Sequence, residues 1–340
     1  MFERREYLQC LAAMLIALPA YSQDSRTTRR NSWPNKAVNL IVPFPAGGSS
    51  AILAQLLSQA FERTTQQPLR LQYQGGAGGM QGANFASQAA ADGQTLFIGG
   101  SHLAMARALI PEAEFDLMED LRPLALVVNI PQVVVVNPQR IRARTAMEWL
   151  ADLSRKPKLY RMATAGFGSS SHLSAEILKH QETLSFDFVH FRGAGPALQD
   201  VSAASVDMMI DGLISCLPYI RSGQLKPLMV TGTERASVLP DIPCAHELGV
   251  HTLDRVMWYG LFAPRQLPAT QSKQIQQVLQ HLEHDRKLRE RFESLGIQWG
   301  GLYGEAFETH VQQEILLWAK RFKEMGLPQL WGSKVESSRA

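Results

Sequence analysis

The sequence predicts an α/β protein of two units, each a mixed, largely parallel sheet flanked by helices. Three observations carry that expectation. The β-branched run Val38–Val42 enters the turn Pro43-Phe44-Pro45-Ala46-Gly47-Gly48-Ser49-Ser50, and Ile52, Leu53, Leu56, Leu57, Ala60 and Phe61 follow at helical spacing. The same strand, glycine turn and helix recur downstream, and alternating β and α segments indicate strands in parallel under covering helices. A chain of 340 residues also exceeds what one ordinary core organises.

The chain opens as an export leader. Arg4 and Arg5 precede an apolar stretch from residue 8 to 18, and Ala20-Tyr21-Ser22 offers small residues for cleavage after Ser22. That stretch is shorter than the roughly 17–25 residues of a bilayer-spanning helix. Residues 3–9 resemble a twin-arginine export motif with Glu3 and Gln9 at atypical positions. Cys10 follows Gln9 rather than small residues, so it is read as removed with the leader and not as a lipid anchor. Residues 23–32 contain no apolar side chain and read as a flexible mature N-terminus.

Composition is that of a globular protein, 45% hydrophobic and 19% charged, with a formal net charge of only +3. The absence of long basic runs argues against nucleic acid as a partner. Cys216 and Cys244 remain in the mature chain, either as two buried thiols or as a pair.

In the first unit, strands are expected at Val38–Val42, Leu69–Tyr73 and 95–98, with a second glycine turn at residues 75–79 and a helix to about residue 90. The second set begins after Asn129-Ile130-Pro131. It has strands at 133–136, 160–163, 186–191, 206–210 and 227–231, and a helix that includes residues 147–153. An apolar stretch at 256–263 leads to one helix over 272–295. A last helix, about 305 to 325, aligns Phe307, Val311, Ile315, Trp318 and Phe322 on one face.

The chemistry-bearing segments are turns. Successive N–H groups of Ala46, Gly47, Gly48 and Ser49 can converge at a helix N-terminus and hold a carboxylate or phosphate. No Lys-Ser/Thr follows, which argues against a nucleotide P-loop. The second turn lacks the third glycine of a dinucleotide fingerprint, and the strand after it ends without a ribose-binding acid. Ala163-Thr164-Ala165-Gly166-Phe167-Gly168-Ser169-Ser170-Ser171-His172 again joins a strand to a helix, so two turns could face each other across a cleft. No Gly-x-Ser-x-Gly elbow accompanies those serines. His281 and His284 read as part of a solvated helix face, not as metal ligands. Asp211 is either a ligand contact at a strand's carboxyl end or a helix cap, and Arg192 either an anion contact or a surface arginine.

Taken together, these residues resemble the Bug family, periplasmic solute receptors of tripartite tricarboxylate transporters, from Trp33 to about Leu327. The markers include Trp33-Pro34-Asn35-Lys36, Ile41-Val42-Pro43-Phe44-Pro45-Ala46-Gly47-Gly48, Gly76-Ala77-Gly78-Gly79 and Ala91-Asp92-Gly93-Gln94-Thr95-Leu96. Val133-Val134-Val135-Val136-Asn137-Pro138, Phe191-Arg192-Gly193-Ala194-Gly195-Pro196-Ala197-Leu198 and Leu239-Pro240-Asp241-Ile242-Pro243 continue the series. The resemblance implies a two-lobed Venus-flytrap fold. Residues 33–131 and 253–328 would form lobe 1 and residues 132–252 an inserted lobe 2, with a tail at 329–340. It implies a small organic carboxylate gripped by the first glycine turn and faced by the Gly166–His172 turn, and the candidate contacts on the first side are Phe44, Ala46, Gly47, Gly48, Ser49, Gly78, Gly79 and Ser101. Thr164, Gly166, Gly168, Ser169, Ser170, His172, Arg192 and Asp211 would face it from the other. Phe44, Phe167 and Tyr73 are candidates for contacting the ligand's body.

Two departures from the family pattern bear on specificity. Ala51 and Gln55 stand where the family has Asp and often Arg, and Tyr73-Gln74-Gly75 replaces Asn-Arg-Pro. Ala51 cannot pair with an ammonium, so a plain carboxylate is expected over an amino acid. The resulting expectation is a monomeric periplasmic receptor, not an enzyme, without cofactor or bound metal. Its partner would be a membrane transporter or, alternatively, a sensor kinase. A serine hydrolase using Ser169, Ser170 or Ser171 with His172 is the enzymatic alternative.

Overall fold

The computed structural model describes residues 33–109, 115–155 and 159–327. The leader at 1–22 with Cys10, the N-terminus at 23–32 and the tail at 329–340 lie outside the described residues.

Two mixed sheets form. In the first, β1 (Val38–Val42) runs parallel to β2 (Leu69–Tyr73) and β3 (Thr95–Gly100). The buried β1 has the apolar, β-branched composition of a strand covered on both faces. Three antiparallel strands extend this sheet beyond β3. They are β10 (Met257–Pro264), then β4 (Leu121–Ile130), then β11 (Gln298–Tyr303) at the edge. The second sheet places β5 (Gln132–Val136) antiparallel between β8 (Met208–Gly212) and β9 (Lys226–Val230). On the far side of β8, β6 (Arg161–Thr164) and β7 (Asp187–His190) run parallel to one another, and β6 runs parallel to β8. The chain leaves the first sheet and enters the second across the single residue Pro131. It returns over residues 231–256.

β4 and β11 carry no strand expectation from the sequence because each is interrupted by a residue that argues against one. Pro123 sits where the β4–β10 register shifts, a bulge that removes the need for its missing N–H. Gly300 and Gly301 lie in the matching irregularity between Trp299 and Leu302.

The helices are α1 (Ser49–Thr65), α2 (Met80–Ser87), α3 (Ser101–Leu109), α4 (Leu117–Asp120), α5 (Ala146–Arg155) and α6 (Ser170–Gln181). They continue with α7 (Ala194–Ser202), α8 (Leu213–Arg221), α9 (Ala269–Glu283), α10 (Arg286–Ser294) and α11 (Glu305–Glu324). The single helix expected over 272–295 is two. Asp285 caps α10 by accepting from the Leu288 N–H at 2.7 Å, and that local bond ends the continuous ladder. Both His281 and His284 are exposed at this break.

α11 ties the units together. Phe307 and Val311 join the cluster under the first sheet, whereas Trp318 and Phe322 join one containing Trp149, Phe186 and Leu253 of the second-sheet unit. Buried Glu314 between these ends accepts from Arg255 and from the indole N–H groups of Trp258 and Trp318. Gly260 of β10 lies directly under the Phe307 ring, and an added methyl would also stand 2.8 Å from the Ala125 carbonyl oxygen. The substitution Gly260→Ala is therefore expected to destabilise by about 1–3 kcal/mol, the usual range for overpacking. Urea unfolding should show the midpoint falling at unchanged slope.

Cys216 and Cys244 are buried and unpaired, the first of the two arrangements left open by the sequence. Among the described residues no helix is long and apolar enough to cross a membrane.

Candidate functional site

The glycine turns of the two units touch. A methyl on Gly47 would lie 3.0 Å from the Gly195 Cα, and one on Gly48 would lie 3.4 Å from the Ala194 Cβ. On Gly78 it would lie 2.7 Å from the Gly168 carbonyl carbon and 2.9 Å from the Phe167 oxygen. Gly193 abuts the Pro45 ring, and Gly212 abuts Ser49. Small residues thus occur where two backbones meet across a seam. At Gly47, with φ of 95°, and Gly78, with φ of 64°, the left-handed conformation reinforces the requirement.

Several helices begin at this seam with glycine caps. α1 starts after Gly48, α2 after Gly79, α7 after Gly193 and α8 after Gly212, and none of the four has a side-chain cap or an acidic residue in its first turn. The first N–H groups of a helix have no acceptor inside it, and all four ends carry the positive ends of their dipoles; at α8 Leu213 donates instead to the Pro131 carbonyl at 2.9 Å, and at α2 Met80 and Gln81 donate to the Ala77 and Gly76 carbonyls. Only α6 differs, because Ser169 caps it by accepting from the His172 N–H. Gly193, Ala194, Gly195 and Gly212 were not expected in the site. The signal for the first three, a Gly-x-Gly directly before a helical stretch, was present in the sequence.

The sequence-expected residues fall into three groups along the seam. Ala46, Gly47, Gly48 and Ser49 meet α7 and α8. The Ser49 hydroxyl lies 3.2 Å from that of Ser215, which itself donates to the carboxylate of Asp211. The single Ser215 proton is thereby used, so Ser49 is the donor to Ser215. Asp211 is buried within β8, and the cap of the next helix is Gly212, so Asp211 is not a helix cap. Burial pushes its carboxyl up to about 6, against the opposing hydrogen bonds from Ser215 and the Gly212 backbone.

Gly78 meets Gly168 and Phe167 from across the seam, Gly79 packs against His102 and Pro43 of its own unit, and Ser101 and Ser170 border a small space with Gln132 and Ser174. That space is about 20 Å³, room for about one water and not for an organic acid. Phe44 is half-buried and meets His102 edge-on, with ring centroids 5.4 Å apart.

Thr164, Gly166, Ser169 and His172 serve mainly to build their own turn. Thr164 bonds the His190 ring at 2.7 Å and accepts from the Gly166 N–H. Ser169 donates to the Gly166 carbonyl, and Ser171 accepts from the Ala165 N–H. The His172 ring accepts from the Gly168 N–H at 3.2 Å and lies among Phe167, Phe188 and His190. Its Nε2 lies 3.6 Å from Oε1 of Glu176, one turn further along α6. Arg192 is exposed, as are Tyr73 at the end of β2 and Gln55 on α1. Ala51, by contrast, is buried in the first turn of α1.

His102 and Gln132 are additional polar residues that sequence reasoning missed. His102 is fully buried beside Gly79, and neither ring nitrogen has a partner among the described residues. Burial lowers its pKa from 6.5 to about 4, which keeps the ring neutral. Gln132 accepts from Ser174 at 2.6 Å, and its amide nitrogen is buried without a partner among the described residues, as is the Ser50 hydroxyl. Neither residue belongs to a glycine turn or a recognisable motif.

A cavity of about 970 Å³ lies away from these turns, lined by Pro131, Thr231, Arg235, Asp254, Trp258 and Gln298 among others. Charges of both signs line it, and none of the glycine-capped helix ends opens into it. The seam is the better candidate for an anion because its donors converge.

Comparison with known proteins agrees with this architecture. Residues 53–315 match the sequence profile of the TctC family, described as tripartite tricarboxylate transporter family receptor. The chain is 30% identical over 237 residues to the protein BugT of Bordetella pertussis, spanning 69% of this chain and 72% of that one. It is similar to the periplasmic binding protein BugD at a TM-score of 0.83 and 27% identity, over 87% of this chain and 99% of that one. It is also similar to MatC of Rhodopseudomonas palustris, solved with bound malate, at a TM-score of 0.80 and 29% identity, over 85% and 99% of the two chains.

Proposed function

This chain belongs to the TctC family of tripartite tricarboxylate transporter receptors, and from that membership we propose that it grips a small organic carboxylate between its two units and hands it to a membrane transporter. The observation that carries the ligand class is the convergence of glycine-capped helix N-termini from both units on one seam, with no protein side chain capping them. Such ends favour a carboxylate through unpaired N–H groups and helix dipoles acting together. Malate, held by the related MatC, is an acid of this class.

The mechanism is ligand-biased closure. The units separate about Pro131 and the return segment at 231–256, a carboxylate docks on the exposed helix ends, and closure buries it. The boundaries 33–131, 132–252 and 253–328 divide the lobes on this reading. Ala51 offers no carboxylate to an amino-acid ammonium, so plain and hydroxylated acids are preferred over aspartate or glutamate. Residues 1–22 direct export, and the mature chain works in the periplasm as a monomer.

The test is a thermal-shift screen of residues 23–340, refolded to remove carried-over ligand, against mono-, di- and tricarboxylates and amino acids. A ligand at 100 times its Kd raises stability by roughly 2.7 kcal/mol. A carboxylate hit abolished by Gly48→Val supports the proposal. A response to amino acids alone contradicts the assigned ligand class, and no response to any acid contradicts carboxylate binding.

A further inference from the structure

We propose that His246, His251 and Asp254 form a binding site for a divalent transition-metal cation, outside the seam and independent of it. All three lie on the return segment between β9 and β10. His246 and His251 open two successive single-turn helices, His246–Leu248 and His251–Leu253, and Asp254 caps the second. The backbone holds these turns in place. Val250 donates to the Ala245 carbonyl at 2.9 Å, Leu253 to Val250 at 3.1 Å, and Gly232 to Leu253 at 2.8 Å.

The donor atoms already converge. Nδ1 of His246 is 3.6 Å and Nδ1 of His251 3.3 Å from the same oxygen, Oδ2 of Asp254. The three ligand atoms all lie within 4.8 Å of one another. Metal–ligand bonds of about 2.0–2.1 Å in a tetrahedron place neighbouring ligand atoms about 3.3–3.4 Å apart, so the observed spacing needs only small adjustment to accept an ion. The imidazole rings, 5.2 Å apart and inclined at 62°, can both turn a nitrogen toward that point. The histidine side chains are 55% and 65% exposed, which leaves the remaining coordination position open to water and lets the ion load from solvent.

The carboxylate supplies the second line of argument. Oδ1 of Asp254 is buried and has no partner among the described residues, and no lysine or arginine there pairs with this residue. Its neighbour Arg255 is engaged with Glu314. The negative charge is thus met only by two imidazoles, and a cation on Oδ2 would compensate it. Two nitrogen ligands and one oxygen select ions of borderline softness such as zinc, nickel or cobalt, whereas calcium and magnesium require oxygen-rich sites.

Titration calorimetry of the tag-free mature chain with zinc chloride tests this. One equivalent should bind, excess calcium should not displace it, and His246→Ala, His251→Ala or Asp254→Asn should each weaken binding at least about tenfold. Because the two histidines are exposed, their variants should keep the zinc-free melting temperature and the carboxylate response of the seam. Zinc affinity unchanged in the His246→Ala/His251→Ala double variant overturns the proposal. So does loss of zinc binding in a His281→Ala/His284→Ala variant with the first pair intact, because the ion would then sit on α9.

Discussion

Replacing Gly195 by alanine is expected to weaken carboxylate binding by tenfold or more without unfolding the protein. Gly195 lies in the first turn of α7, and its φ is not in the left-handed region, so alanine fits its own backbone and favours the helix by up to about 1 kcal/mol. The obstruction is across the seam. The new methyl would stand 2.9 Å from the Ala46 carbonyl oxygen and 3.4 Å from the Gly47 Cα, both backbone atoms that no rotamer change can clear. Overpacking of this kind costs about 1–3 kcal/mol, and here only the closed arrangement bears it. A cost of 1.4 kcal/mol is tenfold in affinity. Calorimetry with the carboxylate found in the screen, alongside small-angle scattering, reads the effect. Weaker binding with a larger ligand-free radius of gyration and an undiminished melting temperature is the expected pattern. Wild-type affinity in this variant would remove closure at the seam as the basis of binding.

The second large effect concerns pH. Asp211 and His102 are both fully buried, and burial acts on them in opposite directions. The Asp211 carboxyl rises from 3.8 to about 6, so the folded state holds its proton more tightly than the unfolded state does. Its contribution to stability is fully present below pH 4 and is lost as pH rises through 6. His102 falls from 6.5 to about 4, so its contribution is present above pH 6.5 and is lost as pH falls through 4. Each amounts to roughly 3 kcal/mol, and the two nearly cancel between pH 4 and 6.5.

Single substitutions should therefore reveal slopes that the wild type hides. Asp211→Asn keeps an acceptor for Ser215, and its stability should rise by roughly 3 kcal/mol from pH 4 to 6.5 relative to wild type. His102→Gln should show the opposite slope over the same window. Urea unfolding at half-unit pH intervals decides the matter. Parallel profiles for wild type and both variants would mean that neither group is buried in the charged-form-excluding way described.

Much of the fold was legible in the sequence. Val38–Val42 and Leu69–Tyr73 carry apolar β-branched or alternating patterns and end at glycine turns, so their bounds could be read directly. β4 and β11 were hidden because Pro123 and the Gly300-Gly301 pair contradict strand propensity, and both are absorbed by bulges against neighbouring strands. The break before α10 was hidden because Asp285 sits in a strongly charged helical stretch, where only its capping bond marks a terminus.

The sequence by itself determined the turn chemistry. Glycines between a strand and a helix are a local property, and residues 46–49 and 78–79 were recognisable from neighbours in the chain. Only the tertiary structure decided what those turns face. Gly195 opposes Gly47, Gly168 opposes Gly78 and Ser215 meets Ser49 across separations of about 90 to 170 residues, and chain spacing carries no signal at that range. It likewise left Arg192 and Tyr73 exposed and buried His102 beside Gly79 and Phe44, because burial depends on how separate segments pack and not on their neighbours in the chain.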